Sequence, residues 1–291
     1  MVVDIKRIEN LPCWSGSTEV EPLEGGLTNT NIQVRDSSGK FVVRVGADIV
    51  QHHVLRFNEL AVARAASEAG LSPRIVHHEP EIMVMEFIEG QALDPKDVGS
   101  PQLLSRIIEL VKKFHFVTPK LLRGPVLMFW VFHVIRDYGG FLVQNDSPHQ
   151  ALVGELVELG NGFEAASAPY DIVLGHNDLL AANFIDDGNR LWLIDFDYAG
   201  YNSPLFDLGG LSSNNELSEE LEKVALETYF EAAVTDELLY RFEIMKCASL
   251  LRETMWSMVS ELTSDLDFDF TGYTAENLAR FRAAHDNLSQ R

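Results

Sequence analysis

The chain has 291 residues, of which 46% are hydrophobic, and it carries 44 acidic against 23 basic side chains, a formal net charge of -21 at pH 7. This balance argues against nucleic-acid and anionic-membrane partners, because both need a basic surface, so we expect no nucleic acid and no membrane insertion. The apolar fraction is that of a globular protein with a full core, and the acidic field suits a cationic substrate unless it serves solubility alone.

The first part of the chain is predicted to form a small sheet with one helix. The helix is expected over 57–69, which is rich in Ala, Leu and Glu and is followed by Gly70. Runs of β-branched residues separated by turns predict five strands, one before the Gly25-Gly26 turn and the others at 31–34, 41–45, 74–76 and 82–86.

The rest of the chain is mostly helical by the spacing of its apolar residues. Helices are predicted over 101–117, 126–144, 152–165, 218–233, 236–262 and 275–290. A loop with a following strand, 176–195, interrupts them. The change from strands to helices sets the boundary between the two parts at 89–91.

The sharpest motif lies in that interruption. Asp178 and Asn183 stand five positions apart in a short loop, and Asp195 follows at the end of an apolar run. Phosphoryl transfer uses such a set: one carboxylate orients and deprotonates a hydroxyl, while an amide and a second carboxylate hold the metal on the nucleotide phosphates. The spacing matches the catalytic loop of protein kinases. The alternative is a polar loop in which Asn183 caps a helix.

Two neighbours of this motif are predicted to have other roles. His176 is expected to hydrogen-bond the loop backbone and not to act as the base. Asp197 is expected to be a solvated charge, in slight preference to a neighbour of the metal site.

The turn that contains Gly25, Gly26, Thr28 and Asn29 suits a nucleotide phosphate. Small residues let backbone N–H groups approach phosphate oxygens, and the Thr and Asn side chains add donors. An ordinary hairpin turn is the alternative.

Arg44 lies in the middle of a strand among valines, where a charge needs a partner. A nucleotide phosphate would supply one, and so would Glu59 on the following helix, because the Lys–Glu pair of kinases has this layout. A strand residue that points to solvent is the alternative.

Aromatic residues near the end of the chain suit a quaternary ammonium, which binds to aromatic faces with carboxylates nearby. The acids Glu253 and Asp267 lie close to them in sequence. Packing between helices and in a core-facing loop is the alternative for each ring. The aromatic residues are Trp256, Phe268, Phe270 and Tyr273.

Taken together, these motifs resemble the choline/ethanolamine kinase family, in particular its bacterial branch, within the aminoglycoside-phosphotransferase-like small-molecule kinases. The likeness covers nearly the whole chain, and the Asp-Tyr-Ala-Gly-Tyr-Asn segment at 197–202 points to the choline branch. The segments that carry the resemblance are 25–29, the strand with Arg44, the helix with Glu59, 176–180, 194–202 and 206–209.

The resemblance implies an α+β, two-lobed protein kinase-like fold. A nucleotide-binding lobe over 1–90 would hold a small antiparallel sheet with one helix, and a larger, mainly helical lobe over 91–291 would hold the catalytic loop and the acceptor site. ATP and Mg²⁺ are the implied cofactors. Asp178 would be the base, and Asn183 and Asp195 would be the magnesium ligands.

The same resemblance assigns the other site residues. Arg44 would contact the ATP phosphates and pair with Glu59. Adenine would hydrogen-bond to the backbone of a hinge formed by Glu86, Phe87 and Ile88. The acceptor pocket would be lined by Tyr198, Glu253, Trp256, Phe268 and Tyr273.

The chain departs from the eukaryotic members at two places. They have a Glu-Trp pair where this chain reads Ser-Ser-Asn-Asn-Glu at 212–216, and they have a tryptophan one helical turn before Trp256, where this chain has Glu253. The predicted cage is therefore less aromatic and more acidic.

We therefore expect an ATP-dependent kinase that phosphorylates the hydroxyl of a small cationic alcohol, choline first. Ethanolamine, thiamine and aminoglycosides are the alternative acceptors, and a non-catalytic, pseudokinase-like nucleotide-binding module is the alternative of another class. The only cysteines, Cys13 and Cys247, form neither a metal pair nor a disulfide framework, which predicts a cytoplasmic protein. A homodimer is one oligomeric state that the sequence leaves open.

Overall fold

The structure is a computed structural model that describes residues 4–23 and 29–290. The predicted phosphate-binding turn at Gly25, Gly26 and Thr28 lies outside the described residues. Within the described ranges, a five-stranded sheet is followed by a mainly helical part, and a large cavity lies between them.

The sheet is antiparallel throughout, as predicted, with the strand order β1-β2-β3-β5-β4. Its central hairpin pairs Ile32 with Val43 across the turn that the sequence predicts. The strands are β1 (Glu19–Leu23), β2 (Thr30–Asp36), β3 (Gly39–Val45), β4 (Ile75–Glu79) and β5 (Ile82–Glu86).

Two helices accompany this sheet, where the sequence predicts one. The predicted helix is α2 (Arg56–Glu68), and Gly70 follows it with a φ of +73°, a conformation that glycine adopts without strain. The additional helix, α1 (Ile5–Glu9), has a single buried side chain, Ile8. So short a helix shows too little apolar periodicity to be recognised in the sequence.

The two faces of β3 have different neighbours, because successive strand residues point to opposite sides of a sheet. Val43 is fully buried in a small core that also contains Ile8 of α1. Val42 and Arg44 lie on the opposite face and line the large cavity. The alternation of β3 therefore turns Arg44 towards a possible ligand and not towards solvent.

The second part contains five short strands and eight helices among the described residues. The strands are β6 (Gln91–Ala92), β7 (Val173–Gly175), β8 (Phe184–Asp186), β9 (Leu191–Leu193) and β10 (Gly200–Asn202). The helices are α3 (Pro95–Val98), α4 (Pro101–Val117), α5 (Val131–Gln144), α6 (Gln150–Ala166), α7 (Pro204–Asn214), α8 (Glu219–Phe230), α9 (Asp236–Thr263) and α10 (Phe270–Ser289). Across these ranges, we find no helix with the length and apolarity needed to cross a membrane.

The two parts are joined at Gly90. β6 begins directly after it and pairs with β8, which pairs in turn with β9. A Cβ atom on Gly90 would lie 2.8 Å from the backbone oxygen of Asp186, so the connection fits against β8 only with glycine. The lobe division at residue 90 remains a prediction.

Most predicted helices are present, but α5 begins later than expected. The prediction started at residue 126, whereas the helix starts at Val131. The oxygen of Leu127 accepts a hydrogen bond from the N–H of Tyr201 at 3.0 Å, and its N–H donates to Asn58 at 2.9 Å. These tertiary contacts hold an apolar segment of helical composition in an extended conformation.

The long helix α9 forms the centre of the helical part and packs against α5, α6, α7 and α10. Its contact with α7 is unusually close at Gly209. A Cβ atom there would lie 2.7 Å from the backbone N and 2.9 Å from the Cα of Lys246. Helix α7 is not among the helices predicted from the sequence, and its adjacent glycines at 209–210, which disfavour a helix interior, permit the close contact.

We expect Gly209→Ala to lower the free energy of unfolding by roughly 1–3 kcal/mol, because the added methyl group forces α7 and α9 apart. Gly154 on α6 provides a matched control, since it is exposed and a Cβ there meets nothing within 4 Å. Gly154→Ala should raise the free energy of unfolding by about 0.5–1 kcal/mol. Urea denaturation measures both changes, and equal effects at the two sites would contradict the expectation.

Candidate active site

The loop after β7 is fixed by one buried carboxylate, that of Asp207 on α7. It accepts hydrogen bonds from the backbone N–H groups of His176, at 2.7 Å, and Asn177, at 2.6 Å, and lies 2.8 Å from Nε2 of His115. Burial by itself would raise the pKa of Asp207, but its partner His115 and the side chain and backbone N–H of His176 lower it. Asp207 is therefore a charged anchor for the segment that leads to Asp178.

The first two residues of the loop, His176 and Asn177, are held in place by hydrogen bonds from their side chains to backbone oxygens of the segment 194–200. Asn177 has a φ of +66°, which asparagine tolerates, and its amide donates to the backbone oxygens of Tyr198, at 2.9 Å, and Gly200, at 3.1 Å. His176 is fully buried, and its Nε2 lies 2.9 Å from the backbone oxygen of Ile194. Burial lowers the pKa of His176. The predicted backbone hydrogen bond of His176 is thus confirmed.

The structure brings Asp178, Asn183 and Asp195 to the wall of one cavity. The side-chain amide of Asn183 donates to the backbone oxygen of Asp178 at 2.9 Å, and its own backbone oxygen accepts from the N–H of Ile194 at 3.0 Å. Asp195 comes next, with a φ of +67°. Two separate segments of the chain thereby present two carboxylates and one amide to the same space.

The carboxyl group of Asp178 is perturbed by its surroundings. Burial raises its pKa to about 8; Arg252 opposes this shift, whereas the like charges of Glu253 and Asp195 reinforce it. The side chain still keeps part of its surface open to the cavity. A carboxyl whose pKa lies near neutrality is suited to accept and release a proton.

Arg44 belongs to a buried cluster of five charged side chains. It pairs through Nη1 with Glu59, the predicted partner, and through Nη2 with Asp195 at 2.7 Å. Arg56 places Nη1 2.7 Å from both Glu59 and Asp197. Burial disfavours the charged form of Arg44, but the carboxylates of Asp195, Glu59 and Asp197 raise its pKa well above the usual value. Arg44 is therefore a permanent cation that ties α2 to Asp195.

The prediction that Asp197 is a solvated charge is wrong. Its side chain is 2% exposed, its Oδ2 accepts from the amide of Asn29 at 2.8 Å, and its Oδ1 lies 2.7 Å from Nη1 of Arg56. These partners come from distant parts of the chain, so no local pattern around Asp197 could reveal them. Asn29, predicted to contact phosphate, reaches the same cluster.

The cavity has a volume of about 760 Å³, and the predicted hinge residues Glu86, Phe87 and Ile88 line one end of it. The N–H of Phe87 donates to the backbone oxygen of Lys40 at 3.0 Å, and the side chain of Glu86 pairs with Arg74 at 2.7 Å. The N–H of Phe87 and the side chain of Glu86 therefore already have partners in or beside the sheet. An adenine contact from this hinge would therefore use its other backbone groups.

On the side formed by the helical part, here called the acceptor end, the cavity is lined by Tyr198, Glu253, Trp256 and Tyr273, four of the five residues predicted for the acceptor pocket. Nε1 of Trp256 donates to the hydroxyl of Tyr198 at 2.8 Å, and the hydroxyl of Tyr273 donates to Glu253 at 2.8 Å. Phe268 is not part of this wall. Its side chain lies in the loop before α10, is 42% exposed and packs against Tyr273 from outside, with ring centroids 5.7 Å apart.

Arg252 also lines the acceptor end, although it is not among the residues predicted from the sequence. It is 4% exposed, its Nη1 lies 2.6 Å from Glu253, and its guanidinium carbon lies 4.5 Å from the centroid of the Tyr198 ring. A signal was present in the sequence, because Arg252 follows the run Ala-Ser-Leu-Leu at 248–251. A basic residue on the buried side of a helix needs a partner.

A small antiparallel sheet, a helical lobe and a cavity between them that presents Asp178, Asn183 and Asp195 define the class of two-lobed, protein kinase-like phosphotransferases. The profile of the choline/ethanolamine kinase family matches residues 20–218. The chain belongs to the choline/ethanolamine kinase family, and it is an ATP-dependent small-molecule kinase.

Individual relatives agree with this placement. A probable ethanolamine kinase of Arabidopsis thaliana is 27% identical over 289 residues, covering 87% of this chain and 76% of that protein. The crystal structure of a choline/ethanolamine kinase family protein from Mesorhizobium loti has a TM-score of 0.78 and 28% identity, covering 96% of this chain and 92% of that one. The structure of LicA in complex with AMP shares the fold, with a TM-score of 0.70, 21% identity and coverages of 94% and 93%.

Asp207→Asn keeps the shape of the loop anchor but replaces one acceptor with a donor. We expect it to lower the free energy of unfolding at pH 7 by roughly 1–3 kcal/mol. Since the pKa of Asp207 is lower in the folded protein, its contribution is present above about pH 4 and is lost as the pH falls through the folded value. The difference in unfolding free energy between the wild type and Asp207→Asn should therefore stay constant from pH 7 to about pH 4 and narrow as the pH falls further. Urea denaturation at several pH values tests this, and a difference that stays constant below about pH 4 as well would argue against the anchor.

Proposed function

We propose that this kinase phosphorylates the hydroxyl group of a small cationic amino alcohol of the choline or ethanolamine type. The observation that carries the proposal is the continuity of one cavity from the Asp178, Asn183 and Asp195 constellation to a wall that contains Glu253 and Trp256. A carboxylate beside aromatic rings suits an ammonium group. Choline, which the sequence analysis puts first, stays a prediction.

In this proposal, ATP occupies the end of the cavity that the sheet covers. The hinge at Glu86 to Ile88 would hold adenine, and Asn29 and Arg44 would lie on the triphosphate side. Arg44 has two functions here. Its charge attracts phosphate, and its bond to Asp195 orients that carboxylate.

Asn183 and Asp195 would hold Mg²⁺, and the residues present fit this ion. Oδ1 of Asp195 is buried and has no hydrogen-bond partner among the described residues. Carboxylate and amide oxygens are ligands that Mg²⁺ accepts, with phosphate and water oxygens completing the shell. A larger protein cage is not required, and in the described ranges no group of three or more His, Cys, Asp or Glu could form one. When bound, Mg²⁺ would neutralise charge on the phosphates.

Asp178 would act on the acceptor. Its carboxylate would orient the hydroxyl and take its proton as the oxygen attacks the terminal phosphorus of ATP, with ADP as the leaving group. The raised pKa of Asp178 suits a proton acceptor in a partly dry site. Glu253, farther along the same cavity, would attract the ammonium group and so direct the hydroxyl towards Asp178.

An acceptor panel with an ADP-release assay tests the proposal. Choline and ethanolamine should each give a kcat/KM at least about tenfold above that of thiamine or an aminoglycoside, because the proposed wall around Glu253 and Trp256 would hold a single ammonium group. A reaction without acceptor corrects for ATP hydrolysis. ATP binding without acceptor-dependent ADP release from any member of the panel would support a non-catalytic module.

Asp178→Asn should lower kcat by about 10²- to 10⁴-fold, because an amide cannot accept the hydroxyl proton. The Kd for ATP should change by less than about threefold, since Asn183 and Asp195 remain. Asp171→Asn is the matched control, because Asp171 is exposed and precedes β7 outside the cavity. Steady-state kinetics and calorimetric ATP titration provide the two readouts. Near-normal turnover of Asp178→Asn would remove Asp178 from the mechanism.

A further inference from the structure

The acceptor end of the cavity already contains a cation that belongs to the protein. The guanidinium carbon of Arg252 lies 4.5 Å from the ring centroid of Tyr198 and 5.5 Å from that of Phe129. A cation over an aromatic face at such a distance is held by the ring quadrupole. One face of Tyr198 is therefore occupied, and the ring itself is only 6% exposed.

Trp256 also has little free aromatic surface. His52 packs against it with ring centroids 5.0 Å apart and a tilt of 33°, and burial lowers the pKa of His52 to about 3, so this neighbour is a neutral ring. Tyr273 and Phe270 approach Trp256 at 6.4 and 6.2 Å, and 6% of the Trp256 surface remains exposed. The aromatic residues mainly contact one another and Arg252.

The carboxylates are the groups that still have capacity for a ligand. Glu253 accepts one hydrogen bond at each oxygen, from Arg252 at 2.6 Å and from Tyr273 at 2.8 Å, and a carboxylate can accept about four. Asp178 lines the same cavity. A primary ammonium donates three hydrogen bonds, whereas a quaternary ammonium donates none and depends on free aromatic faces.

We propose that Arg252 is a specificity-determining residue that makes the acceptor site prefer a primary ammonium alcohol, such as ethanolamine, over a quaternary one, such as choline. Arg252 fills the cation position on Tyr198 and leaves recognition to the remaining acceptor capacity of Glu253. This inference rests on the proposed amino-alcohol function. It refines that function by naming the headgroup and the residue that selects it.

Two nitrogens of Arg252 suggest a different occupant, which the test must separate. Nε and Nη2 are buried and have no hydrogen-bond partner among the described residues. An acceptor that carries a carboxylate beside its amine and hydroxyl, such as serine, could pair with a guanidinium. Burial of both nitrogens favours the first reading, because neither nitrogen exposes surface that a ligand in the cavity could contact in this structure.

The test compares kcat/KM for ethanolamine and choline in the wild type and in Arg252→Met. The wild type should favour ethanolamine by about tenfold or more, which corresponds to about 1.4 kcal/mol. Arg252→Met frees the face of Tyr198 and should reduce this ratio by about tenfold, mainly through a lower KM for choline. Arg252 also acts on the charge of Asp178, but that effect is common to both acceptors and cancels in the ratio.

Arg280→Met is the matched control. Arg280 lines the same cavity, but its guanidinium donates to the backbone oxygen of Ser213 at 2.6 Å and does not lie over Tyr198. Arg280→Met removes one positive charge, as Arg252→Met does, and should leave the ratio of kcat/KM for ethanolamine to kcat/KM for choline unchanged. Arg252→Lys keeps a cation that can occupy the ring face, so it should retain most of the preference. If thermal melting shows that Arg252→Met does not fold, Arg252→Gln takes its place, because it also removes the cation while keeping a long side chain, and it should lower the ratio in the same direction.

The outcomes are distinct. A wild type that prefers choline, or an unchanged ratio in folded Arg252→Met, would overturn the role of Arg252 while leaving the amino-alcohol kinase intact. Preferred turnover of serine would also overturn it, in favour of a carboxylate partner. Failure of both amino alcohols in the wild type, with turnover of another alcohol, would refute the proposed function itself.

Discussion

The buried ion cluster that joins β3, α2 and the segment after β9 is the interaction on which the arrangement of the cavity depends. It sets two guanidinium groups against three carboxylates, and Arg44 contacts Asp195 in the middle of it. Such charges are tolerated in an interior only while each is paired, because loss of one partner leaves another charge buried and uncompensated. Asp195, which would face the metal, thus also couples the helical part to the sheet through its contact with Arg44.

The loop beyond this cluster is organised differently. Asp207 holds the backbone of the loop by hydrogen bonds to consecutive N–H groups, and the positive φ of Asn177 turns the chain so that Asp178 reaches the cavity. Neither Asp207 nor Asn177 lines the cavity. The position of Asp178 is therefore determined by residues that do not line the cavity, as is common in preorganised sites.

Much of this could be predicted from the sequence, because some signals are local. The five strands, helix α4 and the spacing of Asp178, Asn183 and Asp195 all follow from patterns within short windows. The predictions that were wrong depended on distant partners. Asp197 is buried because it contacts Asn29 and Arg56. Helix α5 begins later than predicted because Tyr201 holds the preceding segment by a backbone hydrogen bond. Arg252 differs, because its place after the apolar run 248–251 is a local signal; only its companion ring, Tyr198, lies far away in the chain.

The tight fit of Gly90 has a mechanical consequence. The connection between the two parts is wedged against the backbone of β8, so it cannot slide along that strand. Any change in the angle between the sheet and the helical part would have to keep this close contact or break the pairing of β6 with β8.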